Sequence, residues 1–148
     1  MENVDIVIDG SIATWTMAAV DGDLGGTYKG TFQFRTFLNP IQQLQAGREF
    51  RELLGNNPAF ASDTESNLAF AISQLKQRII KSPPFWSSAA QDGGVAGNIG
   101  DLNVIALVLD AAIRAEHAFK ERITKEREAV LERAIQVGEA LAQKDKEA

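Results

Sequence analysis

The sequence predicts an α+β fold: an N-terminal antiparallel β-hairpin or small sheet followed by three helices, the last one long and extending from the domain. Three observations carry this. Thr27 to Phe37 alternates apolar and polar side chains with period two. From Asn39 onward, apolar residues recur at helical spacing. From Leu102 to about Gln143 the chain runs without a proline. The expected division is an α+β domain over 1–115 (β over 1–38, helical over 39–115) and a C-terminal helical arm over 116–148.

The elements follow in order. Val4 to Ile8 alternates imperfectly and is broken by Asp9-Gly10. Ile12 to Met17 is rich in β-formers. Tyr28, Phe32, Phe34 and Thr36 fall on one face of the next strand, with Lys29, Thr31, Gln33 and Arg35 on the other. Asp21 to Gly26 lies between them and reads as a turn, so Ile12 to Leu38 forms a hairpin. A lone hairpin is marginal in water, so its aromatic face needs helices or a partner sheet. Asn39-Pro40 is a helix start, an N-cap followed by a preset first position. Ile41, Leu44, Phe50, Leu53 and Leu54 supply that helix's apolar positions, and Gly55-Asn56 stops it before the linker Asn57-Pro58.

Ser62 to Glu65 fits a capping box. The helix behind it carries Leu68, Ala69, Ile72, Leu75, Ile79 and Ile80, and ends at Ser82-Pro83-Pro84. Phe85-Trp86 follows at once; two large apolar side chains in a loop plug back into the core or dock on a neighbour. Gln91 to Gly100 is a glycine-rich connector, and Asp101 caps the last helix. Leu102 to Ile113 is apolar nearly all round, which predicts burial. Farther on, Phe119, Ile123, Val130, Ile135, Val137 and Leu141 form a thin stripe through dense, balanced charge. Ile123, Val130 and Val137 lie seven apart, with Glu126 and Arg133 at would-be seam positions: a weak coiled-coil pattern.

Composition narrows the function. The formal net charge is −5 and the pI about 4.9, which argues against a nucleic-acid binder and against adsorption to an anionic membrane. There is no cysteine, so disulfides, thiolate nucleophiles and zinc–cysteine sites are excluded. Met1 to Asp9 is acidic and no apolar run follows it, so no secretory signal is expected. Val104 to Ile113 is the longest apolar stretch, is interrupted by Asp110, and is too short to span a bilayer.

No constellation reaches the level of an active site. His117 is the single histidine, and its sequence neighbour Glu116 points about 100° away on a helix. It reads as a surface or interface residue. A serine triad would need it, and no Gly-x-Ser-x-Gly elbow exists. Gly94 to Gly100 leads into a helix but lacks the Gly-Lys-Ser/Thr ending of a phosphate loop. Asp21 and Asp23 lack the further ligands of a calcium loop and read as a turn. The expectation is no catalytic residue, no cofactor and no metal. The expected partner interface is Phe85, Trp86, Phe119, Ile123, Val130, Val137 and Leu141.

One stretch has a family likeness. Tyr28-Lys29-Gly30-Thr31-Phe32-Gln33-Phe34-Arg35-Thr36-Phe37-Leu38-Asn39-Pro40 leads into a helix ending Arg51-Glu52-Leu53-Leu54-Gly55. A Gly-x-Phe-x-Phe strand before a Leu-x-Pro helix start resembles small proteins of the morphogenetic modules of tailed bacteriophages, minor virion proteins and tail-assembly-chaperone-like proteins among them. Asn67 to Ala71 and Pro83 to Trp86 are consistent with that group, and the likeness covers Thr27 to Ile113. It carries over no functional residue. It implies a non-enzymatic virion component (capsid-associated, decoration, connector or tail), made in the host cytoplasm, whose partners are other phage structural proteins and copies of itself. Nucleic acid, membrane and small-molecule substrate are not expected partners. The alternatives are a cytoplasmic tail or capsid assembly chaperone, and a small domain that binds a ligand or a host protein.

Overall fold

Alternation along the first strands builds a sheet with one dry face. In the computed structural model, which describes residues 5–23, 25–55, 62–86 and 101–147, strands β1 (Ile6–Asp9), β2 (Ile12–Asp21), β3 (Thr27–Arg35) and β4 (Ile79–Lys81) form one antiparallel sheet in the order β1-β2-β3-β4. Register puts Ile6 beside Trp15 and Trp15 beside Phe32, and aligns Ile8, Ala13, Phe34 and Ile79 across the four strands. Ala13, Trp15, Phe32 and Phe34 of these rows are buried. The opposite face carries Val7, Thr14, Gln33 and Lys81 in one row and Thr16 with Thr31 in another. This dry-and-wet alternation is the pattern of an antiparallel sheet covered on one side. Trp15, Phe32 and Phe34 stack with centroids 5.5–6.1 Å apart, within the range of favourable ring contacts.

The two-stranded hairpin expected from the sequence is thus the centre of four strands. The larger difference lies at Ile79 and Ile80, expected on the second helix. That helix, α2 (Asp63–Arg78), stops before them, and they pair with β3 as β4. Two β-branched residues ahead of a Ser-Pro-Pro run favour extended backbone, and pairing with β3 supplies hydrogen bonds that a fraying last turn lacks. Pro83 then rests on Gly30 of β3. Gly30 has φ +151°, and a Cβ there would collide with the Pro83 ring, its Cγ only 2.9 Å away.

Both helix starts follow their cap residues. Asn39 caps α1 (Pro40–Leu54) in a reciprocal capping box with Gln42, and Gly55 ends it. Ser62 accepts from the Glu65 amide at 3.1 Å, while the Glu65 carboxylate takes up the Ser62 hydroxyl at 3.3 Å. The apolar residues of α1 do not bury as their spacing predicts: Ile41 and Leu44 are 66% and 73% exposed, Leu53 is also exposed, and Ala46 is the buried one. α1 leans on α2 through an edge-to-face contact of Phe50 with Phe70 and an ion pair of Glu49 with Lys76 at 3.4 Å.

The long helix α3 runs Leu102–Glu147. Asp101 caps it, accepting from the Asn103 amide at 3.1 Å and the Val104 amide at 3.4 Å. Its other carboxylate oxygen accepts from the Asp23 amide at 2.8 Å, which ties the β2–β3 turn to the helix start. Val104, Ile105, Val108, Ala111, Ala112 and Ala115 complete the core over the aromatic face of the sheet, with Ile72 and Leu75 of α2 and Trp86. The chain divides into two compact units, Met1–Glu116 and His117–Ala148.

Candidate interaction surface

The second unit is a stretch of α3 with no core of its own. From Thr124 to Lys146 every residue is exposed. Large apolar side chains are among them: Val130 and Leu131 at 62%, Val137 and Leu141 at 60%, and Ile135 at 52%. Isolated exposed leucines are ordinary, but an aligned row of them marks an interaction surface. Of the residues expected at the partner interface, Val130, Val137 and Leu141 lie on this row, while Phe119 and Ile123 near its start are half-buried. Leu131 belongs to the same surface and escaped the sequence reading, because it lies one residue off the seven-residue repeat.

Trp86 is corrected. Trp86 is 2% exposed and meets Phe32 edge-on at 5.5 Å; Phe85 meets Tyr28 at 5.1 Å and Phe32 at 6.0 Å. They plug back onto the aromatic face of the sheet, where they anchor the segment behind β4. The buried Trp86 ring has no surface left for a partner and so leaves the interface, whereas Phe85 packs against the core while half-buried.

The candidate chemical groups are occupied by structural contacts. His117 pairs with Glu121 one turn on, at 3.1 Å, rather than with Glu116. Glu116 instead pairs with Arg78 at 3.4 Å. Arg78 is held at its Nε by Gln74 at 3.1 Å, and its Nη1 is buried without a hydrogen-bond partner among the described residues. Asp21 accepts from the Thr27 hydroxyl at 3.0 Å, and Asp23 accepts from the Asn103 side-chain amide, so both carboxylates serve the turn. Among the described residues, no group of three or more His, Asp or Glu is placed to hold a metal ion. The Gly94–Gly100 segment lies outside the described residues, as does the linker around Asn57-Pro58.

One carboxyl has a shifted titration. Burial alone would raise the Asp5 pKa. The Trp15 indole, donating at 2.6 Å, a backbone hydrogen bond and Arg114 at 3.6 Å outweigh it and hold the group below its ordinary 3.8. This knits the start of β1 to the core through Trp15.

A shallow groove of about 440 Å³ runs between α2 and the first part of α3, lined by Leu68, Ala71, Leu102, Ile105, Leu109 and Ile113. Its one carboxylate, Asp110, is bound to Arg114 at 3.0 Å. No acid–base pair converges there. No described helix is long and apolar enough to cross a membrane. Comparison with protein-family models, with curated proteins and with solved structures finds no match.

Proposed function

We propose that this chain is a non-enzymatic assembly protein, a component of a tailed-phage particle, that acts through protein–protein contacts made by His117–Ala148. The observation that carries the contact mode is the row Val130, Val137 and Leu141, with Leu131 beside it, on a stretch of helix exposed throughout from Thr124 to Lys146. Leaving such side chains in water forgoes about 1.5–3 kcal/mol for each one that full burial would recover, so the arm has free energy to gain from a partner. The phage assignment rests on the Gly30-to-Phe34 and Leu38-to-Pro40 likeness.

Deleting Thr124–Ala148 tests this. No residue of that segment is buried among those described, so the remaining unit keeps its circular dichroism and its unfolding midpoint, to within about 0.5 kcal/mol. The truncated chain fails to enter particles assembled in the presence of full-length competitor, as read by mass spectrometry of purified particles. Incorporation equal to full length sinks the proposal. Full-length protein that is abundant in the lysate yet missing from mature particles selects the chaperone reading instead.

A further inference from the structure

We infer that the solvent face of the sheet is a second contact surface, and that its partner is a protein surface bearing carboxylates. It belongs to the unit Met1–Glu116 and is independent of the arm.

Cations left without counter-ions mark this face. On the helices of the same unit, Lys76 pairs with Glu49, Arg78 with Glu116, and Arg114 with Asp5 and Asp110. The sheet carries three cations, Lys29, Arg35 and Lys81, and among the described residues none of them is paired with a carboxylate. All three share one side. Lys29, Thr31, Gln33 and Arg35 alternate with the buried Phe32 and Phe34 along β3, and register sets Lys81 of β4 beside Gln33. Lys29, Thr31 and Lys81 are exposed, as are Val7, Ile12 and Thr16 on β1 and β2, so no described element covers this side.

Carboxylates stand only at its corners. Asp9 ends β1, two strands from Arg35 in the row Asp9-Ile12-Arg35. Asp21 ends β2, where it accepts from the Thr27 hydroxyl. Neither Arg35, beside Ile12, nor Lys81, beside Gln33, has a carboxylate as its register partner. Arg48 and Arg51 of α1 are also unpaired among the described residues, but they share a hollow with Glu52.

The remaining side chains of the face select the kind of anion. Single-stranded nucleic acid needs aromatic side chains to stack on, and Trp15, Phe32 and Phe34 all lie on the buried side. Three cations on a chain of net charge −5 neutralise too few phosphates to hold a duplex or an anionic bilayer. A protein surface fits. Thr14, Thr16, Thr31 and Gln33 offer hydrogen-bonding side chains in the middle, and Val7 and Ile12 form an exposed apolar pair on the β1–β2 side. That mixture is the composition of a non-obligate interface.

Size sets the strength. Lys29 to Arg35 spans about 20 Å along the strand and four strands span about 15 Å across, so the face covers about 300 Å². A standard interface buries about 800 Å² on each partner. The contact is therefore weak and fast, with charge steering the encounter.

A short synthetic peptide of alternating Glu and Val, titrated into the isotope-labelled full chain, tests this by nuclear magnetic resonance. At low salt it shifts the amides of Thr14, Gln33 and Arg35, and a Lys–Val peptide of equal length does not. In about 1 M salt, where the screening length falls to about 3 Å, binding weakens at least about tenfold. Arg35→Glu combined with Lys81→Glu abolishes the shifts with unchanged circular dichroism. Should that pair perturb the fold, Arg35→Gln with Lys81→Gln weakens binding at least about threefold. An unmoved sheet at millimolar peptide overturns the inference, as do shifts confined to the outer edge of β1 or to His117–Ala148. An equal response to the Lys–Val peptide, or tighter binding of an oligothymidylate or of phosphatidylserine vesicles, overturns it too. Particle entry of the chain lacking Thr124–Ala148 is a separate readout, so the arm and the sheet face stand or fall independently.

Discussion

The two halves of α3 differ in apolar density, 14 residues over 102–124 against 9 over 125–147, and meet opposite fates. Val104, Val108 and Ala112 lie four apart, with Ile105, Ala111 and Ala115 beside them, and all are buried. Ile123, Val130 and Val137 lie seven apart, and Val130 and Val137 are mostly exposed. The first pattern holds one face of an ordinary helix against a sheet. The second suits a narrow seam against one other helix. Side-chain size differs too: three alanines let the first half settle closely on the aromatic sheet, whereas the second half is flanked by charges that no core accepts without partners. Apolar density, spacing and flanking charge together separate core from surface here.

The comparison is tested hardest at Trp86. If the core that grips the first half of α3 is continuous with the sheet, Trp86→Ala costs about 3–5 kcal/mol in urea unfolding. A loss under 1 kcal/mol would put the ring back at an interface. Gly30→Ala comes next. A methyl there strikes Pro83 and the backbone leaves its preferred region, so the loss is about 2–3 kcal/mol. Val108 and Val130 offer the sharpest contrast, being the same residue on the same helix at 0% and 62% exposure. Val108→Ala costs about 2 kcal/mol. Val130→Ala changes monomer stability by less than about 0.5 kcal/mol, with alanine's helix propensity favouring the variant. Equal losses at both positions would erase the distinction.

The smallest effect is on pH. Asp5 titrates lower when folded than its ordinary 3.8. The unfolded chain therefore binds its proton first as pH falls, and the stability from Asp5 is complete above the unfolded pKa and disappears as pH falls through the folded one. Asp5→Asn removes this part of the acid sensitivity while sparing behaviour near neutral pH. A variant with an unchanged acid-unfolding profile shows that the Trp15 and Arg114 contacts do not bias the folded state. Asp5 is partly exposed, so the shift is screened by salt.

Local signals were legible wherever a single side chain decides the backbone. Asn39, Ser62 and Asp101 cap their helices because each side chain satisfies an amide within three residues of it. The facing of Phe32, Phe34 and Thr36 follows from period two alone. The exposed row at Val130, Val137 and Leu141 was likewise visible, because a charged flank marks an apolar stripe as unburied. What the sequence could not determine depends on distant partners. Ile79 and Ile80 satisfy a helical pattern as well as a strand, and only the free edge of β3 made them β4. Ile41 and Leu44 have helical spacing but stay exposed, with no cover among the described residues. Phe85 and Trp86 were balanced between core and interface until the fold placed the aromatic face of the sheet beside them. Local chemistry sets caps, periodicity and facing; burial depends on which surfaces meet, and that is settled only when remote segments pack together.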